Sequence, residues 1–150
     1  MLNLDRRYNL TCDALDPIVL RMRWEFKDGT PREIPGDATA FGFQIYGNGV
    51  PDGQKTAAGT YGETLIDGVI AQYVEMAHEP ALGAALAGLP ALFWKVGEVL
   101  PSPDGMPTRV DNLLDYAPRI TVRRVPAMSG VTAPVTGEGE ILMIVFTEGE

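Results

Sequence analysis

The stretch Ile18-Val19-Leu20-Arg21-Met22-Arg23-Trp24-Glu25-Phe26-Lys27 decides the fold class. Ile18, Leu20, Met22, Trp24 and Phe26 fall on one side of an extended chain. Val19, Arg21, Arg23, Glu25 and Lys27 fall on the other. Alternation with period two marks a strand with one dry and one wet face. Asp28-Gly29 follows, and an Asp-Gly pair favours a tight reversal because glycine tolerates positive φ. Beyond Pro31, Pro35 and Gly36, Phe41, Phe43 and Ile45 again share one side over Ala40 to Tyr46. Local pattern therefore predicts a hairpin of these two strands.

Working outward, Asn48-Gly49, Asp52-Gly53, Asp67-Gly68 and Asp104-Gly105 repeat the turn chemistry. The polar, glycine-rich run from Gly47 to Gly62 reads as a long exposed loop. Strands are expected over Val69 to Met76, Leu92 to Leu100, Thr108 to Leu114 and Arg119 to Val125. Pro80 to Leu89 is the one helical piece, with Leu82, Leu86 and Leu89 at helical spacing and Pro80 suited to a first turn. The expected fold is all-β: an antiparallel β-sandwich of about 7–9 strands with one short helix and an extended C-terminal arm. Its expected core is Leu20, Met22, Trp24, Phe26, Phe41, Phe43, Ile45, Val74, Trp94, Val96, Ile120 and Val122.

After Pro126 the residues become small and rich in glycine and threonine. The chain thus divides into a sandwich domain over 1–126 and a linker with a C-terminal arm or strand over 127–150. That arm carries Ile141, Leu142, Met143, Ile144, Val145 and Phe146, a run without alternation whose two faces both ask for cover. Two placements fit it: a central strand of the chain's own sandwich, or a strand added to a neighbouring subunit. Glu138, Glu140, Glu148 and Glu150 bracket the run as acidic gatekeepers. These six residues and Tyr61, in Gly59-Thr60-Tyr61-Gly62, are the candidate interface residues.

The 150 residues suffice for one packed domain. Twelve Lys and Arg stand against twenty Asp and Glu, a net charge of -8. That balance argues against nucleic acid and against anionic membrane surfaces as partners. Cys12 is alone, so no intrachain disulfide forms, and it reads as a small buried hydrophobe. No apolar stretch reaches the length of a membrane span, and the N-terminus lacks a signal-peptide pattern, so cytoplasmic synthesis is expected.

Catalytic groups are sparse. Ser102 and Ser129 lie outside any nucleophile elbow, and His78, beside Glu79, reads as a surface or capping residue. Paired carboxylates such as Asp13/Asp16 or Asp111/Asp115 are the remaining hydrolytic option. No catalytic, cofactor-binding or metal-binding residue is assigned, and no cofactor is expected.

The order of features resembles a known family. A strand opening at Tyr8-Asn9-Leu10 leads to the alternating strand ending in Trp24, then Lys27-Asp28-Gly29-Thr30-Pro31, Ile34 and Gly36. The strand Ala40-Phe41-Gly42-Phe43-Gln44-Ile45 follows. Later come Ala85-Leu86-Ala87-Gly88-Leu89-Pro90 before the strand Ala91 to Val99, and Leu113-Leu114 leading into Ile120-Thr121-Val122. Over residues 8 to 125 this resembles the N-terminal β-sandwich of the phage baseplate upper protein family and related small virion proteins. The resemblance implies a non-enzymatic structural protein of a tailed phage or phage-like particle, located in the virion at a head vertex, tail or baseplate. Such a protein anchors a fibre or spike through protein–protein contacts with other virion proteins, as a symmetric homo-oligomer. The alternative is a carbohydrate- or ligand-binding β-sandwich module, with Tyr61 as its exposed aromatic.

Overall fold

The computed structural model describes residues 2–106, 108–114, 116–124 and 141–147. Among them the chain is all-β, with a single α-helix. The strands are β1 (Asn3–Leu4), β2 (Leu10–Asp13), β3 (Ile18–Glu25), β4 (Pro31–Arg32), β5 (Phe41–Gly47) and β6 (Gln54–Ala58). They continue as β7 (Thr60–Ile66), β8 (Val69–His78), β9 (Leu92–Leu100), β10 (Arg109–Asn112), β11 (Ile120–Arg123) and β12 (Ile141–Thr147), with α1 (Pro80–Leu86) between β8 and β9. These twelve exceed the expected 7–9 because β1, β4 and the polar β6 carry little apolar signal of their own.

Three sheets form: β1-β2-β11, β10-β9-β5-β6, and β12-β3-β8-β7 with β4 paired to β3. Most pairs are antiparallel, but β11 runs parallel to β2 and β12 parallel to β3. Parallel neighbours need long crossovers, and both of these pairs join strands far apart in sequence.

Strand β3 keeps the alternation read from its sequence, with Ile18, Leu20, Met22 and Trp24 buried and their neighbours half-buried. The expected hairpin is corrected. β3 pairs with β8, β12 and, for two residues, β4, whereas β5 pairs with β6 and β9 in another sheet. The Asp28-Gly29 turn does reverse the chain, through the Phe26 N–H donating to the Thr30 carbonyl (2.9 Å). The returning piece ends at Arg32, and the chain then crosses to the opposite layer. This early turn also removes Phe26 from the core, where it was expected; it is 43% exposed. The other eleven expected core residues are buried.

Aromatic rings join the two larger sheets. Trp24 of β3 lies 5.3 Å from Phe41 of β5 and stacks on Phe146 of β12 at 5.5 Å. Phe43 of β5 meets Trp94 edge-on at 5.5 Å and His78 at 4.8 Å. Such pairs add about 0.5–1.5 kcal/mol beyond their burial.

The expected loop from Gly47 to Gly62 is corrected as well, since it holds β6 and the start of β7. Gln-Lys-Thr-Ala-Ala reads as loop because an edge strand needs no continuous apolar face. Only Gly59 separates β6 from β7, which belong to different sheets, so the chain turns the sandwich corner there. A side chain at Gly59 would collide with the Ala38 carbonyl and with Val74, so the corner requires glycine.

Candidate functional site

Ile141–Thr147 lies along β3 of the same chain, in register from Ile141 opposite Val19 to Thr147 opposite Glu25. Among the described residues it is an edge strand, with β3 on one side only. Leu142 and Ile144 enter the core, and Phe146 packs on Trp24. Val145 is half-buried, while Ile141 and Met143 project outward, 44% and 41% exposed. The run therefore splits between core and surface, and only one of its faces is covered. The expected linker over 127–140 lies outside the described residues.

The opposite margin of the same sheet is β7. It pairs with β8 across Asp67-Gly68, whose φ values of 50° and 79° give the doubly positive geometry of a type I′ turn. Tyr61, Glu63 and Leu65 stand opposite Val74, Gln72 and Ile70. Val74 is buried, and Gln72 accepts a hydrogen bond from the Ile34 backbone N–H at 3.0 Å, which marks the rim of the core. Past that rim Leu65 (68%) and Ile70 (60%) are exposed, with Val69 on the other face of the hairpin. Tyr61 is 54% exposed on the same strand. Sequence reading singled out Tyr61 and missed Leu65, Val69 and Ile70. Their signal was two apolar pairs facing each other across an Asp-Gly turn.

The outer face of the β10-β9-β5-β6 sheet carries a different surface. Tyr46 and Phe93, opposite each other in the ladder, stack at 5.8 Å. The Lys95 ammonium sits 5.3 Å above Tyr46 and the Arg119 guanidinium 5.9 Å above Phe93. Gln44, which is buried, donates to Thr56 Oγ1 (2.9 Å) and to the Thr108 carbonyl (2.9 Å). Gln54 donates to that same carbonyl at 2.8 Å. These bonds hold the end of the 101–108 segment against the sheet. Between the two lies a cleft of about 450 Å³ lined by Gln54, Lys95, Ser102, Met106, Thr108 and Arg109. The Ser102 hydroxyl oxygen is covered and has no hydrogen-bond partner among the described residues.

His78, Cys12 and Asp13 are each engaged within the fold. His78 is a buried residue rather than a surface or capping one, and its Nε2 bonds to the Phe43 carbonyl at 2.9 Å. Burial pushes its pKa down to about 4, against a smaller upward pull from that bond. The imidazole is therefore neutral, with Nε2–H donating. Its ring also borders a second cleft, between β6 and α1. Cys12 is fully buried, and burial together with nearby Asp16 raises its thiol to about 11. It should resist iodoacetamide at pH 8 in the folded protein and react fully once unfolded, as read by mass spectrometry. Asp13 is ion-paired to Arg123 at 3.0 Å. Of the pair Asp111/Asp115, the second lies outside the described residues. Among the described residues no three His, Cys, Asp or Glu gather to hold a metal ion, and no helix is long and apolar enough to cross a membrane.

Comparison with models of known protein families, with curated proteins and with solved structures finds no match to this chain.

Proposed function

We propose that the chain is a structural adaptor that works through protein–protein contacts, assembling as a symmetric homo-oligomer. One observation carries this reading: exposed apolar side chains stand at the two margins of one sheet that carry no further strand among the described residues. Ile141 and Met143 lie on β12, and Tyr61, Leu65, Val69 and Ile70 on the β7–β8 hairpin. A free sheet edge offers unpaired backbone groups, and apolar residues beside it add the contact area that makes docking stable. Two such edges on opposite sides let one copy meet the next around a closed ring.

The setting we propose is the virion of a tailed phage or phage-like particle, where the ring anchors a fibre or spike. The order of sequence features over residues 8 to 125 supports that setting. The experiment is the double substitution Leu65→Asn with Ile70→Asn. Both side chains are exposed, so folding stability should move by no more than about 0.5 kcal/mol each. Sedimentation velocity should show an oligomer for the parent chain and a folded monomer for the variant. An unchanged oligomer in the variant would remove the hairpin from the reading.

A further inference from the structure

We propose that the cleft between the outer face of the β10-β9-β5-β6 sheet and the overlying residues Ser102, Met106 and Thr108 binds an acidic peptide segment of a partner polypeptide. The proposal deepens the adaptor reading by naming the chemistry of one partner, and to that extent rests on it.

Charge favours an anionic visitor. The chain has a net charge of -8, and its carboxylates outnumber its cations. Arg21, Arg23, Lys55 and Arg123 each hold a carboxylate. Lys95 and Arg109, in contrast, line one cleft and are in no ion pair among the described residues. Arg109 commits one nitrogen to the Pro101 carbonyl at 2.7 Å, which fixes its position and leaves its other donors unassigned. Asp104, the carboxylate of the overlying segment, pairs with neither cation. A visiting carboxylate would meet both an ammonium and a guanidinium, whose charge-assisted hydrogen bonds are the stronger kind.

The cleft is held in shape by hydrogen bonds. Gln44 and Gln54 both donate to the Thr108 carbonyl, so the floor of the cleft is tied to its overlying segment. Met106, 65% exposed, adds an apolar contact in the lining. Arg109 opens β10, an edge strand among the described residues, so an extended chain can lie beside it while its side chains reach the cleft.

The aromatic residues of this face favour a peptide over a sugar. Tyr46 and Phe93 stack on each other, and Lys95 and Arg119 lie over their rings. These two rings are thus engaged with each other and with cations, unlike the open aromatic platform on which a pyranose stacks.

The test is an NMR titration of the full ¹⁵N-labelled chain with acetyl-Gly-Glu-Leu-Glu-Gly-amide and with its glutamine counterpart. The glutamate peptide should give saturable shifts centred on Gln54, Lys95, Ser102, Met106 and Arg109. The glutamine peptide should bind at least about tenfold more weakly, and Lys95→Gln and Arg109→Gln should each weaken the glutamate peptide by about tenfold. The proposal is overturned if the glutamate peptide does not saturate at millimolar concentration, or if both peptides bind alike. Unchanged binding in both variants, or tighter binding of a hexuronate oligomer at the same residues, would overturn it too. Sedimentation of the same sample separates the readings. A monomer that binds the peptide keeps this site and sinks the ring, while an oligomer that ignores the peptide does the reverse.

Discussion

Replacing Trp94 with alanine should destabilise the protein by about 3–5 kcal/mol, enough to unfold a domain of ordinary stability. Trp94 is fully buried on β9, edge-on to Phe43. It also ties in the smallest sheet, because its indole N–H donates to the Tyr8 carbonyl at 2.9 Å. Tyr8 has a φ of 60°, a region few non-glycine residues enter, and the Asp5–Asn9 turn holds it there. Losing the indole thus opens a cavity and leaves a carbonyl unpaired. Trp94→Phe separates the two effects. It should cost clearly less in urea denaturation, while amide exchange near Tyr8 and Leu10 still rises. Equal loss in both variants would mean the hydrogen bond, not the ring, dominates.

Acid should weaken the fold before the carboxylates titrate. His78 has a folded pKa of about 4 against the ordinary imidazole value of 6.5, so the unfolded chain binds the proton more readily. Stability is then complete above about pH 6.5, falls as pH drops through that window, and has lost about 3 kcal/mol by pH 4. The depressed carboxylates Asp28 and Asp37, each held down by backbone and side-chain hydrogen bonds from a threonine two residues on, act only at lower pH. Urea midpoints between pH 7 and pH 4 read the effect. A flat profile over that range would contradict a buried, neutral His78 bonded to the Phe43 carbonyl.

How far the sequence announced this structure depends on how local each feature is. Ile18–Glu25 was legible because one buried face imposes alternation whichever strands lie beside it. The Asp28-Gly29 reversal was equally legible, but a reversal names no partner. The two-residue return at Pro31–Arg32 and the crossing to the other layer depend on residues more than thirty positions away, such as Val74 and Met76 on β8. Gln54–Ala58 was missed because its partner β5 supplies the apolar surface. The run from Ile141 to Phe146 asked for cover on two faces and receives it on one, which is what makes it a candidate surface. The cleft at Lys95 and Arg109 had no sequence signature, because β5, β6, β9 and the 101–108 segment meet there only after folding.

Function follows from the same distinction. Buried Phe43, Trp94 and Met22 account for stability, while Leu65, Ile70, Ile141 and Met143 are apolar and uncovered at strand margins. The most direct test of whether those margins dock is hydrogen–deuterium exchange along Thr60–Ile66 and Ile141–Thr147 over a range of protein concentrations. The outward-facing amides of the two strands should exchange at least about tenfold more slowly as concentration rises, since association pairs or covers them. Exchange rates that stay fast and independent of concentration along both strands would contradict the account.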